Sequence, residues 1–244
     1  MDVQEATTCR LPDLKERHLP ENCREAVNTI LKETYGYEQF RNLEIYDDLF
    51  KGKEKLCISQ GQLIENVILE AEEAWKGETK IDNILLTAPT GSGKSMLFQL
   101  PAIYLGKEYN LLTIVVSPLK ALIVDQVESL QELGYMRVAY ASSDLSPEQK
   151  MEVYRQVREG EIDLFYLSPE LLLSYDIKHF VGERRIGLVV VDEAHTVTTW
   201  GKEFRVDYWF LGRYLNTLKQ TLGYSFPLFA LTATAVWNPK GVMT

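Results

Sequence analysis

The sequence predicts an α/β fold: a parallel sheet with helices on both faces, preceded by a short helical N-terminal extension. Three observations carry this reading. Short apolar runs fit for buried strands alternate with helix-period segments from residue 83 to residue 231. A glycine-bearing segment, Ala88-Pro89-Thr90-Gly91-Ser92-Gly93-Lys94-Ser95, lies between one such run and a helical pattern. A second run, 186–191, leads straight into Asp192-Glu193-Ala194-His195.

Taken in order, residues 1–34 read as an irregular leader with a helix from about 21 to 34, and 35–244 as one domain. Residues 63–68 have helical apolar spacing. Residues 83–87 form the first core strand and 96–105 a helix. Residues 112–116 form the next strand. The helix over 119–133 places Leu119, Leu122, Ile123, Val127 and Leu130 on one face. A short strand follows at 137–140. Ser146-Pro147-Glu148-Gln149 then opens a helix, with Ser as N-cap, Pro in the first turn and Gln closing a capping box; it should end near Gly160. Strands at 162–167 and 186–191, a helix over 204–222 interrupted by Gly212, and a last strand at 226–231 complete the pattern. No internal repeat or low-complexity segment interrupts it.

The 244 residues are 45% hydrophobic, enough for one α/β core. No run approaches the roughly 18 apolar residues of a membrane span, and the start lacks a basic region followed by an apolar stretch. A soluble, intracellular protein with no membrane partner is expected. The three cysteines, Cys9, Cys23 and Cys57, are odd in number and widely spaced, which argues against a disulfide framework. Cys9, His18 and Cys23 lack the close spacing of a zinc site, so no zinc is expected. A net charge of -9 argues against a protein wholly dedicated to coating nucleic acid, but leaves room for local contacts through backbone amides and hydroxyls.

The first motif has a definite chemistry. At a strand-to-helix turn, unpaired N–H groups point at an anion and the helix dipole favours negative charge there. Gly91 and Gly93 let the backbone curl around phosphates, Lys94 reaches the β- and γ-phosphates, and the Ser95 hydroxyl completes a Mg²⁺ shell. Ala88 stands where the first glycine of G-x-x-x-x-G-K-[ST] is usual. The second motif sits at the carboxyl end of a strand, where open α/β sheets bind ligands. Asp192 is the expected Mg²⁺ partner through water, and Glu193 the expected base for the attacking water. Alone, that motif could equally be a solvated acidic turn; the pair reads as a nucleoside triphosphatase of the P-loop type.

Trp200-Gly201-Lys202-Glu203-Phe204-Arg205-Val206-Asp207-Tyr208 resembles the aromatic-rich loop of RecQ-family DNA helicases. Tyr35-Gly36-Tyr37-Glu38-Gln39-Phe40-Arg41 resembles that family's nucleotide-recognition motif. Ser117-Pro118-Leu119-Lys120-Ala121-Leu122, continuing to Asp125-Gln126-Val127, and Tyr166-Leu167-Ser168-Pro169-Glu170 are similar to its two DNA-contact motifs. Leu231-Thr232-Ala233-Thr234-Ala235 is similar to its coupling motif.

The resemblance covers 35–235 and implies the first RecA-like lobe of a superfamily 2, 3′–5′ DNA helicase, using ATP and Mg²⁺ on single-stranded or forked DNA. It implies that Tyr37 and Arg41 hold adenine and that Thr90, Gly91, Ser92, Gly93, Lys94 and Ser95 hold the phosphates. Ser117, Pro118, Leu119, Lys120, Ser168 and Pro169 would border the DNA backbone. Trp200, Phe204 and Arg205 would sense the strand, with His195, Thr232, Ala233 and Thr234 as couplers. Residue types alone also allow Trp200 and Phe204 to anchor the following helix in the core; stacked bases gain about 1–3 kcal/mol each on such rings.

The pattern departs from the family in several places. Glu44 stands where the adenine-reading Gln is usual, and a carboxylate cannot donate to N7. Gly61-Gln62 fits better, which assigns Gln62 to adenine and makes about 42–60 an insertion. Residues 75–83 lengthen the approach to the phosphate loop. Lys202 replaces a His, and Lys120 an uncharged residue. No segment after Ala235 reads as a second lobe, so one is expected in cis or trans. Two rival readings remain: another superfamily 2 translocase or RNA helicase, and a lone nucleotide-binding regulatory module.

Overall fold

The computed structural model describes residues 20–46, 55–78, 80–88, 91–194 and 206–233. Cys9, His18, Thr90, His195, Trp200, Lys202, Phe204, Arg205 and Thr234 lie outside the described residues.

Helix α1, Glu25–Ile30, continues into a π-helical turn, Leu31–Tyr35, that Gly36 ends with a φ of 69°. The expected helix therefore starts later than residue 21. The stretch read as an insertion contains an antiparallel hairpin, β1 (Asn42–Tyr46) with β2 (Lys55–Ser59). Its base is closed by the Gln60 amide donating to the Arg41 carbonyl at 2.9 Å. Helix α2, Gln60–Lys76, starts there on a capping box formed by Ser59 and Gln62.

The main sheet follows: β3 (Ile84–Thr87), α3 (Met96–Tyr109), β4 (Leu112–Val116), α4 (Lys120–Glu132), β5 (Val138–Ala141), α5 (Pro147–Arg158) and β6 (Leu164–Leu167). Two short helices, α6 (Pro169–Ser174) and α7 (Ile177–Val181), precede β7 (Ile186–Val191), α8 (Val206–Leu222) and β8 (Leu228–Thr232). The six strands run parallel in the order β3-β8-β7-β4-β6-β5. Parallel strands buried on both faces read as continuous apolar runs, and β4, β6 and β7 are buried at every position.

Period-two alternation distributes the strands between two cores. Val115, Tyr166, Leu188, Val190 and Leu231 join α1 to α4 on one face. Ile114, Val116, Phe165, Val189 and Val191 join α5 to α8 on the other. Helix α8 runs through Gly212 without a break. A Cβ at Gly212 would meet nothing within 4 Å, and Leu211, Leu215 and Leu218 are buried, so packing outweighs the roughly 1 kcal/mol cost of glycine in a helix.

Two charged clusters fasten the periphery. Arg24 bonds Glu65 and Glu72, and the hydroxyls of Tyr104 and Tyr109 add to the set. Burial pushes the nearby Cys23 thiol up to about 12, so it behaves as a packed apolar group, whereas Cys57 is exposed. Before β6, Asp163 is fully buried and receives Arg137, Arg184 and the Tyr135 hydroxyl. Among the described residues, no helix is long and apolar enough to cross a membrane.

Candidate nucleotide and nucleic-acid site

Because all six strands are parallel, the segments that follow them meet along one edge of the sheet. The glycine loop follows β3, Ser117 follows β4, Ser168 follows β6, Asp192 follows β7 and Ala233 follows β8. Lys94 and Asp192, 98 positions apart in the chain, thus share an edge with only β8 between their strands, since β3 and β7 both pair with β8.

Gly91 and Gly93 have φ values of 81° and 78°, the left-handed region that side chains avoid. With them the backbone turns into the N-terminus of α3, whose Met96 and Leu97 amides bond the Gly93 and Lys94 carbonyls at 3.2 and 3.1 Å. Lys94 donates from Nζ to the Ala88 carbonyl at 2.9 Å, across the mouth of the loop. The Ser92 hydroxyl is buried without a partner, so the loop holds a polar group that its own fold does not satisfy. Ser95 Oγ and the Asp192 carboxylate are hard oxygen donors, the set Mg²⁺ takes when phosphates supply the rest of its shell. Among the described residues there is no cluster of three His, Cys, Asp or Glu able to hold a metal by protein ligands alone.

Asp192 is held in place twice: its amide donates to the Val116 carbonyl at 2.9 Å, and its Oδ1 accepts from the Glu193 amide at 2.9 Å. Glu193 has a φ of 50°, a left-handed conformation that costs a non-glycine residue about 1–2 kcal/mol. Such strain persists where the surroundings enforce it, commonly at working sites. Here the next amide, Ala194, is anchored to the Leu231 carbonyl at 2.8 Å, joining the acidic turn to β8. The Ala88 amide donates to the Thr232 carbonyl at 3.0 Å, so the same strand also holds the start of the glycine loop.

On the adenine side, the structure brings Arg41 over Tyr37, 5.9 Å from guanidinium carbon to ring centroid, with both residues exposed. Gln62 is otherwise engaged: its Oε1 accepts from the Ser59 amide at 2.9 Å and its Nε2 donates to the Pro20 carbonyl at 3.0 Å. Its role here is to cap α2. The residue that touches the glycine loop is Gln60, which the sequence reading passed over. Gln60 Nε2 donates to the Ser92 carbonyl at 2.9 Å and its Oε1 accepts from the Arg41 amide at 3.2 Å. No local signal marks it, because its side-chain partners lie 19 and 32 positions away.

Along the strand-contact segments, exposure divides the candidates. Leu119 and Lys120 are exposed, and Lys120 pairs with Asp144 at 2.9 Å. Ser117, Pro118 and Pro169 are buried; the Ser117 amide donates to Leu167 and its hydroxyl is buried without a partner. Ser168 caps α6 by accepting from the Leu171 amide. Thr232 is buried and Ala233 half-buried. A cleft of about 610 Å³ lies at the opposite edge, lined by Ala74, Arg185, Lys219 and Tyr224. It contains none of the motif residues, and its two cations sit where the C-terminal ends of α2 and α8 concentrate carbonyls.

The sequence profile of the DEAD/DEAH box helicase family matches residues 63–241. The ATP-dependent DNA helicase RecQ of Haemophilus influenzae is 30% identical over 207 residues, 85% of this chain and 28% of that protein. The RecQ helicase of Synechocystis is 34% identical over 217 residues, 87% of this chain and 38% of that protein. Among solved structures, the DUF1998 helicase MrfA, bound to DNA and AMPPNP, aligns with a TM-score of 0.57 at 22% identity, over 92% of this chain and 28% of that one. The chain spans about a third of the length of the curated relatives it matches.

Proposed function

The chain belongs to the DEAD/DEAH box helicase family, and from that premise we propose that it is the ATP-binding first motor lobe of a RecQ-like, ATP-dependent 3′–5′ DNA helicase. The single observation behind this is the shared edge: a glycine loop at the N-terminus of α3, and Asp192 with Glu193 one intervening strand away. The relatives named RecQ support the choice of DNA.

Tyr37 and Arg41 offer an exposed ring and guanidinium for a base to stack against. The loop amides of 91–95, with Lys94, bind and orient the phosphates. Ser95 and Asp192 hold Mg²⁺, which when bound draws charge from the phosphate oxygens. Glu193 takes the proton of the attacking water. Thr232 and Ala233, at the end of β8 where the Thr232 carbonyl holds the Ala88 amide, would couple hydrolysis to movement together with His195 and Thr234. Leu119 and Lys120 form the exposed part of the strand track; Trp200 and Phe204 would offer rings for bases to stack on, and Arg205 a guanidinium for phosphate or cation-π contact.

A second RecA-like lobe, in cis or in trans, would supply a transition-state arginine, a group worth about 10³–10⁵ in turnover in related phosphoryl transfer. The 244-residue chain by itself should therefore turn ATP over slowly. ATP turnover joined to a second lobe, measured without nucleic acid, with single-stranded DNA and with RNA of the same sequence, tests the proposal. Stimulation by DNA over RNA is expected. Preference for RNA would favour the RNA-helicase reading, and insensitivity to both would favour a nucleotide-binding regulatory module.

A further inference from the structure

A series of side chains runs through the interior from the adenine side to the end of the glycine loop. The Tyr35 hydroxyl donates to Gln99 Oε1 at 2.6 Å. Gln99 Nε2 donates to Gln126 Oε1 at 2.8 Å and to the Tyr166 hydroxyl at 3.2 Å. Gln126 Nε2 donates to Ser95 Oγ at 2.8 Å. Gln99 is 5% exposed and Tyr166 1%, so the middle of the series is shut off from solvent. In such surroundings an unpaired amide is costly, which holds each group to the orientation its neighbour dictates.

We propose that Gln126 is a positioning residue for the Mg²⁺ site. The inference rests on the reading of Ser95 as a Mg²⁺ ligand. A hydroxyl oxygen has two lone pairs and one rotating proton. Gln126 occupies one lone pair from a fixed direction, which sets the Ser95 rotamer and leaves the second lone pair for the cation. Gln126 itself cannot turn, because its own oxygen is held by Gln99 and that amide by Tyr35. Gln126 also lies on α4, whose N-cap is Leu119 and whose first residue is Lys120, so one side chain connects the metal-site hydroxyl to the helix that begins at the exposed strand-contact residues.

Equilibrium binding of a fluorescent ATP analogue, with Mg²⁺ and with EDTA, tests this on wild type, Gln126→Leu, Ser95→Ala and the double variant. The affinity gained on adding Mg²⁺ should fall about tenfold in Gln126→Leu, as for other groups that orient metal ligands, with the EDTA affinity unchanged. In the double variant the loss should be no greater than in Ser95→Ala alone. If Gln126→Leu does not fold, Gln126→Asn makes the same comparison, since its amide is one methylene too short to reach Ser95. A full Mg²⁺ gain in the folded Gln126 variant, or penalties that add in the double variant, overturns the proposal. A wild type that binds no analogue, or a Ser95→Ala chain with the full Mg²⁺ gain, overturns the underlying site reading with it.

Discussion

Gln60 and Ser92, 32 positions apart, are joined by a single hydrogen bond from Nε2 to the Ser92 carbonyl at 2.9 Å. The same side chain accepts from the Arg41 amide, so it links the segment before β1 to the glycine loop while only 2% exposed. Gln60→Leu leaves a loop carbonyl unpaired and should weaken ATP-analogue binding about tenfold, the effect of losing one buried hydrogen bond. Titration of the variant checks it; affinity within about twofold of wild type would remove Gln60 from the site.

Gly93→Ala should be more severe. Its φ of 78° is strained for any side chain, and the added Cβ would lie 2.7 Å from Gln60 Nε2. Either the loop opens or Gln60 withdraws. Analogue binding is expected to vanish while the thermal transition stays cooperative, since the strain is local and about 1–2 kcal/mol.

Acid should loosen the N-terminal side first. Burial opposes ionisation of Glu72, but bonds from Arg24 and Tyr109 outweigh it and hold the carboxyl below the usual range. A depressed folded value means stability present above the unfolded value of about 4.3 and lost as pH falls through the folded one. Glu72→Gln should therefore show a smaller drop in urea midpoint between about pH 6 and pH 3 than wild type. An equal drop would show that the Arg24 cluster does not contribute.

Arg184→Met separates stability from function. It strips Asp163, which is fully buried, of one partner, together with bonds to the carbonyls of Asn110, Val157 and Ile162. A cost of about 3 kcal/mol is expected, with Arg137 keeping the carboxylate paired. The cluster lies at the amino ends of the strands, away from the glycine loop, so analogue affinity should not change. Calorimetry and titration of one preparation measure both.

Much of this was readable from local sequence. The runs at 112–116 and 186–191 became β4 and β7 at the expected bounds, because a strand buried on both faces must be apolar throughout. Ser146-Pro147-Glu148-Gln149 became a complete capping box, since all its partners lie within one turn. Helices α6 and α7 were missed: at six and five residues they are too short to show a period, though Ser168 and Asp176 cap them. The hairpin at 42–59 was read only as an insertion, its pairing being non-local. Gln62 was assigned to adenine by its place after Gly61, yet the same signature, Ser followed three residues later by Gln, marks a helix cap, and that is where its bonds go. Gln60, Gln99 and Gln126 could not be found this way, because their side-chain partners lie 19 to 67 positions away.

The central claim is that Lys94 and the loop around it bind Mg²⁺-ATP. It is tested most directly by titrating a fluorescent ATP analogue with Mg²⁺ into the 244-residue chain and its Lys94→Ala and Glu193→Gln variants, with unlabelled ATP as competitor. Saturable, competed binding by wild type and Glu193→Gln, and none by Lys94→Ala, is the predicted result. Undiminished affinity in Lys94→Ala would contradict the account, because the loop would then not be where the nucleotide sits.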